Sequence, residues 1–166
     1  MTTTANSQPA QQQHSEQFFC FCLTPQMRAM LRSHQLTEIL NLNVSQIVPI
    51  PDVPLGVMGI CNWRGEVLWI IDLGHLLGFD PLYVQQNLRQ QTLKIIVVNR
   101  QGQTLGLAVS QVDQMVWCDP TEFQWVPDSP VTSTLTRCLE GYWLSPTGER
   151  LMVLDGNAVM DFETKE

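Results

Sequence analysis

The 166 residues predict an all-β chain that folds into two small barrels with a few short helices. Three observations carry that expectation. From Phe18 onward the chain breaks into apolar runs of about five to eight residues, rich in Val, Ile, Phe and Trp, which suits strands better than helices. Turn residues stand between the runs, at Thr24-Pro25, Pro49 to Pro54, Arg64-Gly65, Gly78 to Pro81, Arg100 to Gly102, Asp119-Pro120 and Pro146 to Gly148. The second half also echoes the first. GEVLWIIDLGHLL at 65–77 returns as GERLMVLDGNAVM at 148–160, and QLTEIL at 35–40 returns as QVDQMV at 111–116. FFCFCL at 18–23 and KIIVVN at 94–99 fall at the same offset of 76 as the second echo. Two copies make a twin unit and not a solenoid. About five short antiparallel strands per copy must close on themselves to hide their edges, which means a small barrel.

Residues 1–16 are rich in Gln, Thr, Ser and Ala and are expected to form a disordered tail. Strands are expected at 17–23, 29–40, 46–50, 56–61, 66–72, 92–99, 104–110, 112–118, 138–144 and 150–155. The best helix candidates are 73–78, 81–88 and 156–162, with 163–166 as a C-terminal tail. The folded domain thus spans 17–162, the first barrel mainly 26–80 and the second mainly 92–160. Segment 119–137 is rich in Pro, Ser and Thr, carries Phe123 and Trp125, and is expected to be a functional or mobile loop.

Charge is scarce, at 15% of residues against roughly 25% in an average globular domain. It is also lopsided. Residues 1–112 hold six acids and six bases, whereas 113–166 hold ten acids and three bases and so carry the whole net charge of −7. With no stripe of Lys and Arg to neutralise phosphates, nucleic acid and anionic membrane surfaces are not expected partners. The N-terminus lacks the basic and apolar regions of a signal peptide, and no apolar run reaches the roughly 18–20 residues of a membrane helix. Five cysteines, an odd number without an export signal, predict a cytoplasmic protein with reduced thiols. Cys20 and Cys22 share a strand face and are expected to pack as small apolar residues; no metal site or cofactor is expected.

Asp72, three residues before His75, invites a catalytic reading. Yet Asp155 holds the same place in the second copy, where Ala158 replaces the histidine. An Asp that ends a strand and opens a helix in both copies is expected to be an N-cap, for Asp72 and Asp155 alike. No P-loop, dinucleotide fingerprint, zinc-protease motif or nucleophile elbow is present, so no enzyme activity is expected. Of the five tryptophans, at least three are expected to be mostly buried. Trp63 differs in kind, since it sits beside Arg64 in a turn-like stretch and the two residue types are enriched at binding hot spots.

The chain from 17 to 162 resembles the CheW adaptor domain of bacterial chemotaxis. That family's hallmark, G-x-x-N-L-R-G-x-V-x-P-V-I-D-L, is matched by GICNWRGEVLWIIDL at 59–73. HQLTEIL ending at Leu40, LKIIVVNRQGQTLGLAVSQVDQMV and GERLMVLD resemble further family blocks in the same order. The resemblance implies two intertwined five-stranded SH3-like barrels without catalytic activity or cofactors. It implies partners as well: the regulatory domain of a CheA-type histidine kinase, and the helical hairpin tip of a methyl-accepting receptor. Glu38 resembles the family glutamate that pairs with the hallmark arginine, here Arg64. Leu36 and Gly59 fall at positions similar to receptor-contacting ones. With Asn62, Trp63 and Gly65 these make the expected partner-binding set. The chain departs from the pattern at Trp63 for Leu, at Trp69 for Pro, and at Arg32-Ser33 for Leu-Pro. Tryptophan-rich hallmarks of this kind are similar to those of adaptors in phototaxis and pilus-based motility. Two alternatives stand beside this one: a CheW-like protein that binds a divergent output or response-regulator protein, and a small hydrolase using Asp72 and His75.

Overall fold

The computed structural model describes residues 14–85, 92–125 and 133–164. The first half supplies β1 (Glu16–Thr24), β2 (Met27–Arg32), β3 (Leu36–Asn43), β4 (Val57–Trp63) and β5 (Glu66–Asp72), then the short helices α1 (Leu73–Leu76) and α2 (Leu82–Gln85). The second half supplies β6 (Thr92–Arg100), β7 (Gln103–Val109), β8 (Gln111–Cys118), α3 (Ser133–Cys138), β9 (Leu139–Leu144), β10 (Arg150–Leu154) and α4 (Gly156–Thr164).

The strands form two five-stranded sheets, ordered β3-β6-β7-β5-β4 and β8-β1-β2-β10-β9. Replacing each of β1 to β5 by its counterpart among β6 to β10 turns one order into the other, so the repeat seen in the sequence is a repeat in space. The halves are interlocked. Each sheet takes three strands from one half and the leading hairpin of the other, joined by the parallel pairs β5/β7 and β2/β10. Three strands of each sheet come from the ranges 26–80 and 92–160 respectively, and its other two are the leading hairpin of the other half. Below, the first barrel is the sheet containing β3, β4 and β5, and the second barrel the one containing β8, β9 and β10.

This exchange explains why FFCFCL and KIIVVN are apolar without alternation. Phe18 and Cys20 of β1 face the core of the second barrel with Met30, Trp143, Leu151 and Val153. Phe19, Phe21 and Leu23 face the central cluster between the barrels, with Ile71, Ile96 and Leu107. In β6, Leu93, Ile95 and Val97 fill the first barrel while Ile96 and Val98 join the central cluster. A strand with an apolar environment on both faces has no polar side to show, and this is what a continuous run means here.

Each barrel is closed by one bridge. The chain after β3 pairs Val48 with Ile60, and the chain after β8 pairs Gln124 with Tyr142. A glycine precedes the β4 and β9 partner in each case. A Cβ on Gly59 (φ +146°) would lie 2.2 Å from the Val48 carbonyl oxygen, and one on Gly141 (φ +156°) 2.9 Å from that of Gln124. Both strands can approach only because these side chains are missing.

Several local expectations change. The strand expected at 29–40 is two strands, broken by a 3₁₀ turn at Ser33–Gln35 where the chain leaves one sheet for the other. His34 lies in that turn and not in a strand. The strand expected at 46–50 reduces to the single bridge at Val48, after a 3₁₀ turn at Val44–Gln46. In segment 119–137 the described residues are structured: Pro120–Glu122 form a 3₁₀ turn, Phe123 packs edge-on against Phe18 at 5.5 Å, Gln124 closes the barrel and α3 follows. Residues 126–132 lie outside the described set, as do 86–91 of the helix expected at 81–88 and residues 1–13 of the expected tail. Glu16 already belongs to β1, and α4 runs to Thr164. Trp143 is buried, Trp63 and Trp69 are partly buried, and Trp117 and Trp125 are more than half exposed. All five cysteines are free. Burial raises Cys20 to about 11 and Cys118 and Cys138 to about 12, so these thiols stay protonated and inert. Among the described residues no helix is long and apolar enough to cross a membrane.

Candidate protein-docking site

The β4–β5 hairpin turns on two residues. Trp63 pairs with Glu66, leaving Arg64 (φ +53°) and Gly65 (φ +78°) between them. Two successive left-handed residues make a primed turn, whose twist matches that of the strands. Asn62 steadies it by accepting the Gly65 N–H on Oδ1 at 3.0 Å. The β6–β7 hairpin is built alike: Gln101 and Gly102 have positive φ, and Asn99 Oδ1 accepts the Gly102 N–H at 3.4 Å. Asn62 and Gly65 are thus accounted for by the turn itself. Arg64 is the residue that the turn presents.

Glu38 reaches this turn from β3. Its Oε1 accepts the Trp63 indole N–H at 2.7 Å and the Arg64 guanidinium at 2.8 Å, and that guanidinium lies over the indole ring at 4.9 Å. One carboxylate oxygen therefore orients both side chains. Glu38 is 28% exposed and Arg64 65%, so this ion pair contributes about 0–1 kcal/mol to stability. Its consequence is geometric: it holds a flat, cationic, aromatic-backed surface in one orientation at the end of the first barrel.

The remaining expected site residues divide. Leu36 is partly buried against the central cluster, two residues along β3 from Glu38. Gly59 is buried under Val48 and offers no surface of its own. Asp72 is 3% exposed and caps α1. Its Oδ1 accepts the backbone N–H of His75 at 3.2 Å and its Oδ2 that of Leu82 at 2.8 Å, so both carboxylate oxygens are used by the backbone. Burial raises its pKa, against the lowering effect of those two N–H groups and of His75. Asp155 accepts the Asn157 N–H at 3.0 Å at the start of α4. Among the described residues no cluster of His, Cys, Asp or Glu could hold a metal ion.

Sequence reasoning missed Arg28, and met Arg32 only as a departure from the family pattern, without its partners. They share one face of β2. Arg28 joins Asp113 and Glu149; Arg32 meets Glu16 at 2.8 Å and Glu140 at 2.7 Å, and stacks over Phe18 at 5.2 Å. Arg100 likewise reaches Asp161 at 2.7 Å. Three cations of residues 1–112 thus meet acids of the acidic segment 113–166, so the lopsided charge of the sequence is interleaved in space. The available signal was the spacing in MRAMLR, two cations four apart in an otherwise apolar strand.

A pair of interlocked β-barrels whose distinctive polar cluster orients an exposed turn is a scaffold for docking other proteins. The CheW-like domain matches residues 17–163, and the chain belongs to that family. It is 27% identical over 118 residues to the chemotaxis protein CheW of Rhizobium meliloti (strain 1021), covering 71% of this chain and 72% of that one. The crystal structure of the scaffolding protein TtCheW from Thermoanaerobacter tengcongensis superposes with a TM-score of 0.68 at 24% identity, covering 84% of this chain and 88% of that one. The two five-stranded sheets with few short helices are this fold. Family and fold are those of non-catalytic scaffolds of chemotaxis signalling, so the hydrolase reading of Asp72 and His75 is set aside.

Proposed function

We propose that this chain is a cytoplasmic adaptor that couples a methyl-accepting receptor to a CheA-type histidine kinase. The observation that carries the proposal is the Glu38–Trp63–Arg64 cluster. It fixes an exposed guanidinium and an indole, the two chemistries most enriched at protein hot spots, without forming a catalytic group. In this reading Trp63 and Arg64 touch the partner, and Leu36 and Glu38 border them on β3. Asn62, Gly65 and Gly59 act through the backbone they shape. The tryptophans at 63 and 69, where the family hallmark has Leu and Pro, favour the phototaxis or pilus-motility branch of such pathways.

The test is titration calorimetry of the full chain against a purified CheA regulatory domain and, separately, a receptor hairpin tip, with thermal unfolding as control. Arg64→Ala is expected to weaken binding to at least one of them by about tenfold or more, the effect of losing a hot-spot side chain. Its melting temperature should stay near wild type. Wild-type affinity of Arg64→Ala for both partners refutes the site. A pull-down from native cells that recovers neither a kinase nor a receptor refutes the coupling role and favours a divergent output protein.

A further inference from the structure

The two barrels are alike enough that their differences are informative. In the β4–β5 hairpin, Trp63 pairs with Glu66, Asn62 with Val67, Cys61 with Leu68 and Ile60 with Trp69. In the β9–β10 hairpin the corresponding pairs are Leu144 with Arg150, Trp143 with Leu151 and Tyr142 with Met152, and the Ser145 N–H donates to the Glu149 carbonyl at 2.7 Å. Counting outward from these pairs sets Ser145 in the place of Trp63. The echo between 35–40 and 111–116 sets Gln114 in the place of Glu38 and Val116 in that of Leu40. Leu40 and Val116 indeed pack against equivalent barrel cores.

In the first barrel, the space between β3 and the hairpin turn is filled. Trp63 lies there against the barrel core, pinned by Glu38 and covered by Arg64. In the second barrel the counterpart of Trp63 is Ser145 and that of Cys61 is the buried Trp143, and space stays open beside the serine. It is a groove between Gln114 and Val116 of β8 on one side and Ser145 to Thr147 on the other, with Trp143 and Leu151 at its base. Trp117, 65% exposed, stands at its edge, and Arg28 reaches into it, shared by Asp113 and Glu149. Two carboxylates around one guanidinium leave this mouth with a surplus negative charge.

We propose that this groove receives from a partner protein what the first barrel supplies to itself: an aromatic side chain next to a cation. The ring would lie over Val116 beside Trp117, above the buried Trp143, and the cation would meet Asp113 and Glu149. The acidic rim selects the sign of the neighbouring charge, and the missing indole sets the size of the ring. The proposal concerns the second barrel only and is independent of the receptor–kinase reading, which rests on Arg64.

The experiment is an NMR titration of the ¹⁵N-labelled full chain with acetyl-Trp-Arg-amide, acetyl-Trp-Glu-amide and acetyl-Ala-Arg-amide. Acetyl-Trp-Arg-amide should give saturable shifts of the Trp117 and Trp143 indole N–H signals, and each of the other two should bind about fivefold or more weakly. Ser145→Trp, which fills the mouth from within, should abolish the shifts, while Ser145→Ala should keep them. Asp113→Asn combined with Glu149→Gln leaves Arg28 as the charge of the mouth and should reverse the preference toward acetyl-Trp-Glu-amide. The inference is overturned by equal shifts for all three peptides, by shifts that persist in Ser145→Trp, by an unchanged preference in the double variant, or by no saturable shift up to about 10 mM peptide.

Discussion

Gly59→Ala tests whether that glycine serves the fold and not a partner surface. The new Cβ would stand 2.2 Å from the Val48 carbonyl oxygen and 2.8 Å from its carbon, both backbone atoms that no side-chain rotation can remove. Relief requires the Val48 segment to retreat by about 1 Å, to an ordinary contact distance. That movement breaks the bridge closing the first barrel, in which Val48 N–H donates to Ile60 O at 2.7 Å and Ile60 N–H to Val48 O at 3.0 Å. Each bond is worth about 0.5–1.5 kcal/mol, and holding an alanine at the positive φ costs a further ~1–3 kcal/mol. The expected loss is about 2–6 kcal/mol, a large share of the ~5–15 kcal/mol that holds a typical domain. Urea denaturation with fluorescence detection measures it. Two companions calibrate it. Gly141→Ala meets Gln124 O at the longer 2.9 Å, while Gly65→Ala meets nothing within 4 Å and pays only for its φ. The expected order of cost is Gly59, then Gly141, then Gly65, the last about 1 kcal/mol. A Gly59→Ala cost no larger than that of Gly65→Ala would show that the close approach of Val48 is not what requires the glycine.

Asp72→Ala should cost about 2–3 kcal/mol by leaving the His75 and Leu82 N–H groups without their acceptor, seen as a lower urea midpoint. Because burial raises the Asp72 pKa, the native state holds this proton better than the unfolded chain does. The carboxyl's contribution to stability must then fall as pH rises out of the ordinary carboxylate range, and urea midpoints between about pH 4 and 7 should decline less in Asp72→Asn than in wild type. Arg32→Ala, which loses Glu16, Glu140 and the stack on Phe18, should cost about 1–2 kcal/mol, a difference that narrows in about 1 M salt. Gly106→Ala would press a methyl to 2.7 Å from Ile70 Cδ1 and 2.9 Å from Ile95 Cγ2 inside the first barrel, an overpacking cost of about 1–3 kcal/mol read as a drop in melting temperature.

Some of the site could be read in the chain before any coordinates, because the signals are local. The N-x-R-G stretch is a hairpin turn by its own chemistry: asparagine accepts, glycine tolerates a positive φ, and the arginine between them is presented. Asp72 and Asp155 follow strands and precede helices, so capping is legible within about four residues of sequence. The Trp63 indole bond to Glu38 was not legible. It joins residues 25 apart across the two ends of an open sheet order, and only barrel closure brings them together. Gly59 entered the expected contact set through the family resemblance alone, and the close approach of Val48 to it is likewise a product of barrel closure.

The chain by itself determined most of the strands, the twofold repeat, the caps and the hairpin turn, since periodicity and turn chemistry act over a few residues. Only the tertiary structure decided which barrel each strand serves. The break at Ser33–Gln35 sends β2 and β3 to different sheets, and the parallel pairs β2/β10 and β5/β7 interlock the halves. Those pairings depend on burying two apolar faces of β1 and β6 at once, a condition on the whole molecule that no local stretch can state. The pairing of Arg28 and Arg32 with acids of the second half follows from the same exchange of hairpins.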